Sequence, residues 1–140
     1  MALRIILDAS ILLYSLRLGM DPFREIEDLI LRRVDFMVTR STMRELERLR
    51  DRGKGPSRLS SLALELLERK GCTVISDGDG LEAASVDVKL LRKAQEVKAA
   101  IATMDGPLRR EARRLRIPVI SMRDNRFYCD PPDPELWGIP

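Results

Sequence analysis

The chain has 140 residues and a mass of 16.0 kDa, one ordinary domain with room for a real core and none for a second. It contains no histidine, which excludes serine–histidine and cysteine–histidine nucleophiles, two-histidine ribonuclease chemistry and histidine-ligated zinc. Lys+Arg number 25 against 22 Asp+Glu, so the net charge of +3 permits a polyanionic partner without demanding one.

Short apolar or β-branched runs alternate with longer helical patterns, the signature of a parallel sheet wrapped by helices. The first run, Leu3 to Leu7, continues into an apolar stretch that Asp8 interrupts, so an export signal is not expected. Asp21-Pro22 reads as an N-cap with proline at the first helical position, followed by the stripe Phe23, Ile26, Leu29, Ile30. A second strand is expected over Asp35 to Val38, and Thr42-x-x-Glu45 after it has the form of a capping box. Arg48 to Arg58 reads as a basic connection between helices, and its Gly53-Lys54-Gly55-Pro56-Ser57 lacks the spacing of a phosphate loop.

Ser60 to Lys70 is amphipathic and stops at Gly71, ahead of a third strand, Thr73 to Ile75. Asp77-Gly78-Asp79-Gly80 then suggests a tight turn rather than a calcium loop, since Leu81 stands at the next ligand position. Ser85 can cap a helix that carries Asp87 in its first turn. A fourth strand, Ala99 to Ala102, leads to Thr103 and Asp105, and Pro107 helps to start the basic helix Arg109 to Leu115. Pro118 to Ser121 makes a fifth strand. Residues 1–123 are thus expected to form the domain. Residues 124–140, with Pro131, Pro132, Pro134 and Pro140, are expected to form an extended tail lying on it, and Trp137 could anchor that tail in a groove or on a second subunit.

Ligands of such sheets bind beyond the carboxyl ends of the strands, where strand order reverses. Asp8 and Asp105 stand at the ends of the first and fourth strands, and if those are neighbours both acids face one crevice. Glu45 and Asp87 start helices that follow neighbouring loops. Four carboxylates in one crevice repel unless a divalent cation neutralises them, and oxygen-only ligands favour Mg²⁺ or Mn²⁺. Such ions support phosphoryl displacement without histidine. Each acid also has a structural reading: Glu45 in the capping box, Asp105 as a helix cap, Asp87 as a first-turn acid. Asp8, between two apolar runs, is the hardest to explain that way, because burying an unpaired carboxylate is costly.

The ordered pattern Ile-Leu-Asp8-Ala-Ser10-Ile-Leu-Leu, Arg-Glu45-Leu, Val-Asp87-Val-Lys-Leu-Leu and Ile-Ala-Thr103-Met-Asp105-Gly-Pro-Leu-Arg-Arg resembles the PIN-domain nucleases. It is most similar to small single-domain archaeal members of the rRNA-processing branch, and more distantly to VapC-type toxins. The resemblance, over about residues 3–123, implies a three-layer α/β/α domain whose five-stranded parallel sheet has the order 3-2-1-4-5. It implies a metal-dependent endoribonuclease with Asp8 and Asp105 as metal ligands. Glu45 and Asp87 would complete the shell or orient the attacking water, and Ser10 and Thr103 would be supporting hydroxyls. The chain departs from that branch at Val86, where many members pair two aspartates, and at Met104, where many have asparagine.

RNA contacts are expected from Lys54 and Arg58 in the basic connection and from Arg109, Arg110 and Arg113 beside the acids, giving affinity without sequence preference. The expected function is RNA hydrolysis, in rRNA maturation. The alternatives are a toxin ribonuclease restrained by an antitoxin, or a non-catalytic scaffold that binds RNA or a ribosome-assembly partner. A homodimer is a further option by analogy. No uncharged apolar run approaches the roughly 20 residues that span a bilayer. Cytoplasmic location fits two cysteines, Cys72 and Cys129, read as a reduced pair.

Overall fold

Leu3–Leu7 forms β1, and its alternation sends Leu3, Ile5 and Leu7 into one core and Ile6 into another. A strand apolar on both faces belongs in the middle of a parallel sheet covered on both sides. The computed structural model describes residues 2–53, 55, 57–77 and 84–138, apart from the side chain of residue 136. β1 pairs in parallel with β2 (Val34–Thr39) and with β4 (Ala100–Ala102). β3 (Thr73–Ile75) extends the sheet beyond β2, and β5 (Val119–Arg123) extends it beyond β4.

The five parallel strands therefore stand in the expected order 3-2-1-4-5, and each observed strand lies within two residues of its expected bounds. A sixth was not expected. Arg126–Asp130 forms β6, antiparallel to β5, so the sheet order is β3-β2-β1-β4-β5-β6. The presumed tail thus opens with a strand. Prolines begin only at Pro131, so nothing in Arg126–Asp130 blocks ladder bonds, and an edge position suits a strand that ends at prolines.

Helices α1 (Ala9–Arg17), α2 (Pro22–Ile30), α3 (Arg40–Asp51) and α4 (Ser57–Lys70) bury Leu12, Phe23, Ile26, Leu46 and Leu67 against one face. Phe23 meets Phe36 of β2 edge to face, with ring centroids 5.0 Å apart. The other face is covered by α5 (Val86–Val97) and α6 (Gly106–Arg114) through Leu90, Ala94, Leu108 and Ala112. The result is a three-layer α/β/α domain.

Start signals act largely as expected. Asp21 accepts hydrogen bonds from the backbone N–H groups of Phe23 and Arg24, and Ser85 caps α5 through Val88. The Thr42–Glu45 capping box is corrected: α3 follows β2 without a loop, and Thr39 is the cap, its hydroxyl accepting from the Thr42 N–H at 3.2 Å. The basic connection is corrected too, because Arg48 to Asp51 continue α3 and α4 begins at Ser57 rather than Ser60. The turn expected over Asp77 to Gly80 lies outside the described residues from Gly78 onward, but the Asp77 carboxylate accepts from the Ser41 N–H at the start of α3.

Beyond β6 the chain makes a short 3₁₀ turn, Pro134–Trp137. Trp137 is 5% exposed within the first core, and its indole N–H donates to the Pro131 carbonyl at 2.8 Å. Of its two expected fates, the intramolecular anchor is the one seen. Cys72 and Cys129 are free thiols, and burial pushes Cys72 up to about 11, which keeps it protonated. No described helix is long and apolar enough to cross a membrane.

Candidate active site

Strand order reverses between β1 and β4, and the register sets Leu7 beside Ala102. Asp8 and Thr103 are therefore neighbours at the carboxyl end of the sheet, and the Asp8 N–H donates to the Ala102 carbonyl at 2.9 Å. Asp8 occupies the N-cap of α1 but caps nothing with its side chain. Instead its Oδ2 accepts from the hydroxyls of Ser10 and Thr103, each at 2.7 Å.

Each hydroxyl is itself oriented. Ser10 Oγ accepts from the Met104 N–H at 2.9 Å and Thr103 Oγ1 from the Asp105 N–H at 3.1 Å. With a lone pair occupied by a backbone donor, each hydroxyl proton is left to point at Asp8. Asp8 is 9% exposed and Thr103 fully buried, so this small network is enclosed except toward the cleft.

Asp105 caps α6, its Oδ1 accepting from the Leu108 N–H at 2.9 Å. The structural and functional readings of this residue are thus compatible, since Oδ2 is not needed for the cap. Asp87 sits in the first turn of α5 beyond its Ser85 cap. Glu45 lies in the second turn of α3, relieved of capping by Thr39. Asp8, Ser10, Glu45, Asp87 and Asp105 line one cleft of about 550 Å³. A second cavity, about 460 Å³ between α3, α4 and the edge strand β3, is mainly apolar and holds no comparable cluster.

The acids of the cleft raise one another in spite of the cations beside them. Burial first, then the Asp8 carboxylate, push Glu45 above the usual glutamate range; Arg48 opposes this and Asp87 adds to it. Burial likewise raises Asp87, followed by the charges of Asp105 and Asp8. Asp8, Asp87 and Asp105 all sit at helix starts, where N-terminal dipoles favour negative charge. Those dipoles soften the repulsion without cancelling it.

The donor set suits a hard divalent cation: four carboxylates and two hydroxyls, with no imidazole or thiolate. Among the described residues no three Asp, Glu or Cys side chains stand together in a group that could hold a metal ion.

The expected RNA contacts fare unevenly. Arg109 donates to the Tyr128 hydroxyl of β6 at 2.8 Å, Arg113 pairs with Asp130 at 2.8 Å, and Arg114 pairs with Glu111. These pairings turn Arg109 and Arg113 toward β6, so the rim expected on α6 is partly committed to structure; Arg110 remains exposed. Arg58 is exposed at the start of α4 but does not line the cleft, and Lys54 lies outside the described residues. The cations that do line it are Arg44 and Arg48 of α3 and Lys89 of α5, none of which was expected there. Their signal is in the sequence, since Arg44 and Arg48 are at i, i+4 spacing around Glu45, but a connection beginning at Arg48 gives that residue no helical face.

The sequence matches the family described as PIN like domain over residues 5–125. No curated protein matches it. Among solved structures, the chain is similar to the PIN domain endonuclease Utp24, with a TM-score of 0.72 at 18% identity over 91% of this chain and 90% of that one. It is also similar to a domain of a functionally unknown protein from Methanocaldococcus jannaschii, with a TM-score of 0.64 at 16% identity over 87% of this chain and 92% of that one.

Proposed function

Because the chain belongs to the PIN like domain family, we propose that it is a metal-dependent endoribonuclease whose centre is Asp8, Glu45, Asp87 and Asp105. The observation that carries this reading is the convergence of the four acids on one cleft at the switch point, with Asp8 locked by two hydroxyls. Asp8 and Asp105 would hold the ion, Mg²⁺ or Mn²⁺, and Asp87 and Glu45 would complete its surroundings. When bound, such an ion supplies an activated water and stabilises charge on the phosphodiester oxygens.

The chain's own residues supply position. Ser10 and Thr103 fix the rotation of the Asp8 carboxylate by holding Oδ2. The Leu108 N–H does the same for Asp105 by holding Oδ1. Preorganised acceptors of this kind cost no rearrangement during the reaction. Glu45, on the α3 side of the cleft, would orient the attacking water. RNA as substrate and rRNA maturation as setting rest on the resemblance of the four-acid pattern to that branch of the family.

The test is Mn²⁺-stimulated cleavage of structured RNA by wild type and Asp8→Asn, with the fold of both checked by circular dichroism. Loss of cleavage in a folded Asp8→Asn protein supports the assignment. Equal cleavage by both would mean a different site or a contaminant. RNA binding that falls with salt, without metal-dependent turnover, would instead mark a scaffold. Co-purification of a small protein that blocks cleavage and relieves growth arrest would move the setting to a toxin–antitoxin pair.

A further inference from the structure

Three cations share the acid cleft. Arg44 and Arg48 project from successive turns of α3, and Lys89 stands on α5, two residues after Asp87. Both arginines are exposed and Lys89 is half-buried. Among the described residues none of the three forms an ion pair, although four carboxylates line the same walls. Some cations elsewhere on the molecule do find acids, as Arg113 does with Asp130 and Lys70 with Glu27, so what sets these three apart is their place in the acid cleft. Arg48 is near enough to Glu45 to oppose the rise in its pKa, but no ion pair closes across the cleft, so the three cations can still reach a ligand that carries negative charge. A divalent ion suits the carboxylates, and the phosphates of a polynucleotide suit the cations.

We infer that Arg44, Arg48 and Lys89 form the phosphate clamp of the cleft, gripping the backbone of an unpaired strand on both sides of the bond presented to the four acids. This rests on the nuclease reading above. The two arginines lie about one helical turn apart, roughly 6 Å along α3 at 1.5 Å per residue, a spacing of the same order as that between successive phosphates of one strand. Lys89 faces them from the α5 wall, so the strand is held from two sides. The cleft, about 550 Å³, is of a size that admits a small ligand or a short piece of single strand. The arginines of α6 are secondary in this arrangement, because Arg109 and Arg113 are already engaged by β6.

Backbone contacts of this kind give affinity without sequence preference and a salt dependence of about −0.7 in log K against log salt for each phosphate neutralised on a single strand. The experiment measures binding and cleavage of a single-stranded oligoribonucleotide by full-length wild type, Arg44→Gln, Arg48→Gln, Lys89→Gln and the triple variant. Arg69→Gln on α4 serves as a charge-matched control. Expected are weaker binding and a higher KM in the single variants, and a salt slope flatter by about 2 in the triple variant. The control should match wild type.

Cleavage that depends on Asp8, together with wild-type affinity and slope in the triple variant, overturns the clamp and leaves the nuclease reading standing. Weakening of the same size in Arg69→Gln would also overturn it, since total charge rather than the cleft would then be responsible. No binding or cleavage by the wild type overturns both. Unchanged melting temperatures in the single variants separate the clamp from a structural role.

Discussion

Asp8 does not act alone at the level of single side chains. Thr103 donates to its Oδ2 while accepting the Asp105 N–H, so Thr103→Val removes one hydrogen bond to a charged group and strands a backbone donor. Bonds of that class contribute about 1.5–3 kcal/mol, and a loss in that range is expected in chemical denaturation, with Thr103→Ser recovering most of it. Glu45 behaves in the opposite sense. Its folded pKa is raised, by burial and then by Asp8, so its contribution is fully present below the ordinary glutamate pKa and is lost as pH rises through the folded value. Glu45→Gln should therefore raise the urea midpoint of metal-free protein at pH 7.5, and the gain should vanish near pH 4. An equal gain at both pH values would show that charge is not the cause. A wild-type protein that is less stable with its acids ionised is what a site held ready for a cation implies.

At the scale of elements, the start of α3 decides whether Glu45 is structural or free. With Thr39 as the cap, Thr39→Val should cost about 1–2 kcal/mol, as loss of an N-cap does. Thr42→Val should cost less, because Thr42 gives the cap only its N–H and an acceptor for the Thr39 hydroxyl. Denaturation midpoints that reverse this order would restore the Thr42–Glu45 box. This helix also shows where sequence reasoning stops. β1 was legible because Asp8 sits between apolar runs, and α2 because Asp21-Pro22 is a local signal with a local cause. Thr39 and Thr42 are both plausible caps, and only the point at which β2 ends chooses between them. The same displacement hid Arg48, which as a loop residue had no defined face. β6 was missed for another reason: Arg126–Asp130 borders a proline cluster, and pairing with β5 is a long-range property that composition does not carry.

For the whole molecule, the modest net charge of +3 conceals a cleft in which four carboxylates and three cations stand side by side. A cation that binds only the folded protein must stabilise it, by about 2.7 kcal/mol at a hundred times its dissociation constant. Mn²⁺ should therefore raise the melting temperature of wild type and leave that of Asp105→Asn nearly unmoved. Asparagine caps helices as well as aspartate does, so this variant keeps α6 while losing one of the two acids proposed to hold the ion. A shift of equal size in both proteins, read by differential scanning calorimetry, would place the ion elsewhere.

The cap geometry of Asp105 has a consequence for how this chain could change over time. The helix cap takes only the Asp105 Oδ1 and leaves Oδ2 for the metal-holding role proposed above, whereas Glu45 and Asp87 are not among the residues that build either core. Amide replacements at these three positions would erase the negative charge and keep nearly every contact that folds the chain. A lineage could thus exchange cutting for holding in a few single-base steps, with the arginine-lined groove intact, and the loss would leave almost no trace in the shape of the molecule.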